Sequence, residues 1–207
     1  MTEHTEDPAA DIAWMRRLAE EGAEAPMQGA SILMSAGLIY GAASLFHWAQ
    51  ISGVFPTSGV AIGIGWLAAT GLFLLTLVVV LPRLKRERGV TTAGNRASAT
   101  VWSALGWGIF ALFLSMAALG WRTGEEGALL AMSLSISAIM DFYGIGWAVT
   151  AAMYRSRALW GLAIGSFVAA PLLASLTGMD EQYLAYAAAL FLLMALPGFL
   201  LMRGARR

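Results

Sequence analysis

Six apolar runs, at about 30–52, 58–81, 98–120, 127–153, 158–178 and 183–202, constrain this chain more than any other feature. Each is close to the ~20 residues that an α-helix needs to span hydrocarbon. A chain that is 58% hydrophobic and only 13% charged has too little polar surface for a water-soluble domain of its length. The expected fold is therefore an all-α integral membrane protein. Six transmembrane helices form three hairpins across 30–202, preceded by a leader over 1–29 and followed by a basic tail over 203–207.

The connections decide the orientation. Lysine and arginine near span ends stay on the cytoplasmic side, whereas acidic residues count for little. With both termini inside, the inner side holds Arg16, Arg17, Arg83, Lys85, Arg86, Arg88, Arg96, Arg155, Arg157, Arg203, Arg206 and Arg207, and only Arg122 faces out. Removing any one helix would invert every later loop and destroy this asymmetry. A single lysine beside twelve arginines, with abundant alanine and glycine, points to a bacterial inner membrane. The first apolar stretch begins only near Ala30, after Glu3, Glu6, Asp7 and Asp11, so helix one reads as an uncleaved signal anchor.

Within the leader, Asp7 and Pro8 suit an N-cap and first helical residue, with a stop at Gly22. Ile12, Trp14, Met15 and Leu18 share a face, and Arg16 with Glu20 and Arg17 with Glu21 pair at i,i+4. A short amphipathic helix along the inner membrane surface is expected.

Lipid gives helices no hydrophobic reason to associate, so close approach and polar contacts must hold them. Glycines four apart at Gly37 and Gly41, Gly59 and Gly63, and Gly161 and Gly165 are the expected packing surfaces. Pro171 and Pro197 should free carbonyls that a neighbour or water must satisfy. Gly63-Ile64-Gly65-Trp66 recurs as Gly144-Ile145-Gly146-Trp147, but the copies differ in depth and read as coincidence.

Asp141 is the residue that most needs an explanation. It lies near the centre of its span, where an aspartate costs about 2.5 to 3.5 kcal/mol, so it is expected to face the bundle interior. Ser133, Ser137, Asp141, Gly144 and Ala148 fall on one helix face, and Tyr40, Thr70 and Ser166 lie near the same depth on other helices. A midplane cluster of Asp141, Tyr40, Thr70, Ser133, Ser137 and Ser166 follows. A neutral, hydrogen-bonded Asp141 would be structural; an Asp141 that binds and releases a proton or cation would serve transport. The absence of any charged residue at its depth favours the first.

His47, some 7 to 9 Å from that level by helical rise, is the secondary candidate. With His4 as the only other histidine, a hydrogen-bonded imidazole is favoured over a haem ligand or proton relay. Arg83, Lys85, Arg86 and Arg88 can attract anionic headgroups or a partner, though the orientation rule alone accounts for them.

Without cysteine the chain has no disulfide, thiolate metal site or cysteine nucleophile. It carries no GxSG, HExxH, Walker loop or dinucleotide fingerprint, and its one lysine, Lys85, lies in a loop. No catalytic residue, metal or cofactor is expected, and zero net charge offers no field for nucleic acid. The reading favoured is a noncatalytic accessory, regulatory or assembly protein, in contact with lipid and with another membrane protein or its own copies. The alternative is a small proton- or cation-linked transporter or channel using Asp141.

Overall fold

The computed structural model describes residues 12–14, 29–55, 58–86 and 92–204. Among them all regular structure is helical: α1 (Ala30–Ile51), α2 (Gly59–Arg86), α3 (Ala93–Thr123), α4 (Glu125–Tyr154), α5 (Arg157–Ser175) and α6 (Glu181–Gly204). All six are long and apolar enough to cross a membrane. The chain is a multi-pass helical membrane protein. Of the expected leader helix only residues 12–14 are described, as exposed helix; the rest of it and the tail beyond Gly204 lie outside the described residues.

Hydropathy located each span but not its ends. The basic segment after residue 81 continues α2 to Arg86, because hydropathy ends where hydrocarbon ends while backbone hydrogen bonding continues. Upstream of the expected start at 98, α3 begins at Ala93, where the Thr92 hydroxyl accepts from Asn95 N–H at 3.2 Å. Between α3 and α4 a single residue, Gly124, turns the chain at φ 77°, a backbone state that glycine adopts without steric cost. The last span is a continuous helix interrupted by a π-helical turn at Phe191–Ala195, where Leu196 N–H reaches back to Phe191 O.

Packing runs in a row from α2 to α1, α6, the α5–α4 pair and α3. The fully buried apolar side chains Met140, Trp147, Ala151, Ala163 and Ala187 come from α4, α5 and α6, and Leu33 of α1 belongs to the same core. Ala69 is the one buried hydrophobic residue of α2, and α3 supplies none. Both flanking helices are therefore exposed along most of their length.

The closest backbone approach is between α1 and α6. A methyl on Gly37 would collide with the Ala195 backbone, one on Gly41 would meet the Phe191 ring at 2.6 Å, and one on Gly198 would meet Met34 N at 2.6 Å. Of the three expected glycine pairs, only Gly37 and Gly41 pack in this way. Gly59, Gly63 and Gly161 face open space, and Gly165 touches only Leu193. Spacing alone does not say which face of a helix meets a neighbour.

Candidate functional site

The midplane acid is displaced from its expected setting. Asp141 is exposed on the outer flank of α4, with no hydrogen bond or ion pair among the described residues. This corrects the expectation that it faces inward. The interior side of α4 is its large apolar face, carrying Ile136, Met140, Tyr143 and Trp147. The polar and small stripe instead marks the seam with α5: Ser137 donates to Ala170 O at 2.8 Å, and Gly144 admits the Phe167 ring. Asp141 lies just beyond that seam, where a carboxyl costs about 2.5 to 3.5 kcal/mol in lipid if nothing covers it.

Its expected partners are elsewhere. Tyr40 lies half-buried between Trp66 and Phe73, at centroid separations of 6.4 and 5.5 Å, with the Thr70 side chain close by. Thr70 itself donates to Trp66 O at 2.9 Å. Ser166 is sealed within the α5 packing surface and its hydroxyl meets no partner among the described residues. Ser133 contributes its carbonyl, which accepts from Gln182 Nε2 at 3.0 Å. Of the proposed cluster, only Tyr40 and Thr70 come together.

His47 is held by its surroundings. Trp66 Nε1–H donates to its Nδ1 at 3.0 Å, and the Tyr183 ring lies against the imidazole at 3.7 Å between centroids. Asp180 lies within electrostatic reach. Nearby, Ser44 donates to Tyr183 O at 2.8 Å, tying α1 to α6. An Nδ1 that accepts leaves the ring proton on Nε2, the neutral tautomer. Of the basic segment, Arg83 and Arg86 are exposed at the end of α2, Lys85 lies within that helix, and Arg88 is outside the described residues.

Two polar sites escaped the sequence reading. Where α3 begins and α4 ends, Thr150 donates to Gly146 O at 2.7 Å. Its single proton is thereby spent, so it accepts from Trp102 Nε1–H at 3.1 Å and from the Ser98 hydroxyl at 3.3 Å. Tyr154 donates to Asn95 Oδ1 at 2.6 Å beside it. The signal available was Thr92 three residues before Asn95, the spacing of an N-cap, which would have moved the start of α3 and brought Asn95 into the helix.

At the opposite end Gln182 donates to Leu173 O and Ser133 O, both at 3.0 Å, joining α6, α5 and α4. Read as a loop residue, it carried no such signal. Between these ends, Trp147 Nε1–H donates to Leu193 O at 3.0 Å.

The arrangement is one of ties between helices at both ends and one uncommitted carboxyl at mid-span. No protein family, no curated protein and no solved structure matches the chain.

Proposed function

We infer that this is a noncatalytic multi-pass protein of a bacterial inner membrane, an accessory, regulatory or assembly partner of other membrane proteins. In this reading its six spans form three hairpins with both termini cytoplasmic. The observation that carries it is the outward exposure of Asp141 at mid-span. A transport path needs polar groups converging on one interior route. Here the interior hydroxyls, indoles and amides are largely committed to one another or to carbonyls near the helix ends, and the acid lies outside. An exposed mid-span acid instead suits a surface that another membrane segment covers.

The orientation draws support from the basic residues. Asn95 meets Tyr154, so Arg96 and Arg155 sit where the start of α3 touches the end of α4. Gly198 packs against Ala30 and Met34, so Arg203 sits where the end of α6 touches the start of α1. Arg83 and Arg86 add exposed charge for anionic headgroups or a partner.

Reconstitution and deletion test the role. We expect vesicles containing the purified protein to carry no proton or cation flux that depends on Asp141. We expect deletion of the gene to lower the level or activity of a co-purifying membrane protein. A flux abolished by Asp141→Asn in a folded protein would overturn the reading in favour of a transporter.

A further inference from the structure

The face of α3 turned away from α4 carries what Asp141 lacks. Trp107 is 70% exposed, its ring lies edge-on to Phe110 at 6.0 Å, and its indole N–H meets no acceptor among the described residues. One turn earlier Ser103 is exposed with its hydroxyl likewise unspent. Thr100 and Ser115 on the same helix are satisfied, since they donate back to Arg96 O and Ala111 O. A donor in hydrocarbon has no water to bond, so an exposed indole N–H at mid-span is as unsatisfied as the carboxyl.

The two groups lie at one depth. Trp107 stands 14 residues after Ala93 and 16 before Thr123, the middle of α3. Asp141 stands 14 after Gly127 and 13 before Tyr154, the middle of its span. Contact between the helices agrees, because a Cβ on Gly108 would sit 3.8 Å from the Phe142 ring. Yet the groups cannot meet within one molecule. Gly146 and Thr150 face α3, and Asp141 lies about 140 to 180° around α4 from them; Trp107 lies about 140° around α3 from Trp102, which faces α4. Donor and acceptor point away from each other across the α3–α4 pair.

We propose that a second copy of this chain completes the contact: Asp141 of one copy is capped by Trp107 and Ser103 of the next. Copies in one bilayer share an orientation, and rotation about the membrane normal preserves depth, so groups level within one molecule are level between molecules. The seat for the neighbour's α4 is a shallow groove along Thr100, Ser103, Ala104 and Trp107. Such a contact joins unlike faces, and repeated it closes into a ring when the rotation permits. The interface does not rest on the accessory role inferred above, since a transporter would assemble through it equally well.

The chain contains no cysteine, which makes crosslinking direct. In native membranes, copies carrying Ile145→Cys should form a disulfide with copies carrying Ala104→Cys on treatment with copper phenanthroline. Neither variant alone should crosslink. In lipid vesicles Trp107→Phe, with unchanged helical circular dichroism, should weaken self-association about threefold to tenfold, the range of one interhelical hydrogen bond in lipid. Absence of the mixed disulfide, a monomer by single-molecule photobleaching, or crosslinking of Ile145→Cys to itself would each overturn the proposal. The first two results would assign the Asp141 face to a different protein, and the third to a symmetric α4 contact.

Discussion

The indole of Trp147 donates at 3.0 Å to the carbonyl of Leu193, which lies in the π-helical turn before Pro197. It is the group that residue 197 would bond in α-helical register if it had an amide N–H. Trp147 is wholly buried, so no water can substitute. Trp147→Phe should lower stability by about 1 to 3 kcal/mol, the cost of an unsatisfied buried carbonyl. In a Pro197→Ala background residue 197 regains its donor, and the same change should cost measurably less. Denaturant unfolding in bicelles gives the double-mutant cycle, and equal costs in the two backgrounds would contradict the pairing.

Gly37 and Gly161 occupy opposite situations despite similar sequence surroundings. Gly37→Ala forces α1 off the Ala195 backbone and should destabilise by about 1 to 3 kcal/mol. Gly161→Ala enters open space and should be neutral or stabilising by up to about 1 kcal/mol. Thermal unfolding of the two variants side by side checks the contrast.

Thr150 accepts two hydrogen bonds and donates a third, so it holds α3 to α4. Thr150→Val keeps the shape and strands Ser98 and Trp102, at a cost of about 1 to 3 kcal/mol. Thr76→Val removes only an exposed bond to Leu72 O within its own helix and should cost less than about 0.5 kcal/mol. Equal losses would show that the Thr150 cluster adds nothing.

The bond from Trp66 to His47 fixes a tautomer. With only His4 and His47 in the chain, ¹⁵N-histidine labelling resolves the two rings. The His47 spectrum at neutral pH should report a bare Nδ1 and a protonated Nε2, and Trp66→Phe should release that preference. A protonated Nδ1 in the unaltered protein would refute the geometry.

Reporter fusions at Gly124 and at Arg86 should signal from opposite sides of the membrane, with Arg86 cytoplasmic. Signals from one side would remove the proposed orientation while leaving the helix packing untouched.

The spans were legible because hydrocarbon thickness imposes a length on every crossing, and no tertiary contact is needed to see it. Pro197 was legible too, since its missing donor is a covalent fact; that Trp147 would answer it was not. Asp141 was misplaced because the cost of a carboxyl in lipid was taken to require burial in its own bundle. The cost requires only a cover, and sequence does not say which face of α4 its neighbours occupy. Ser166 failed for a related reason: equal depth on two helices says nothing of the angle between their faces. The ties of Thr150 to α3 join residues 48 and 52 positions apart and that of Gln182 to Ser133 residues 49 apart, and such pairings exist only once the helices are packed.

The two helices that contribute least to the interior are also among the longest. At 28 and 31 residues, α2 and α3 extend about 42 and 46 Å, against a hydrocarbon thickness of about 30 Å, whereas α5 with 19 residues extends about 28 Å. The protein therefore meets the bilayer through rods longer than the slab they cross, packed around a centre of uneven length in which α4 has 30 residues and α5 has 19. Thinning or thickening of the membrane acts first on the tilt of those rods, which makes lipid chain length a lever on this protein independent of its interior packing.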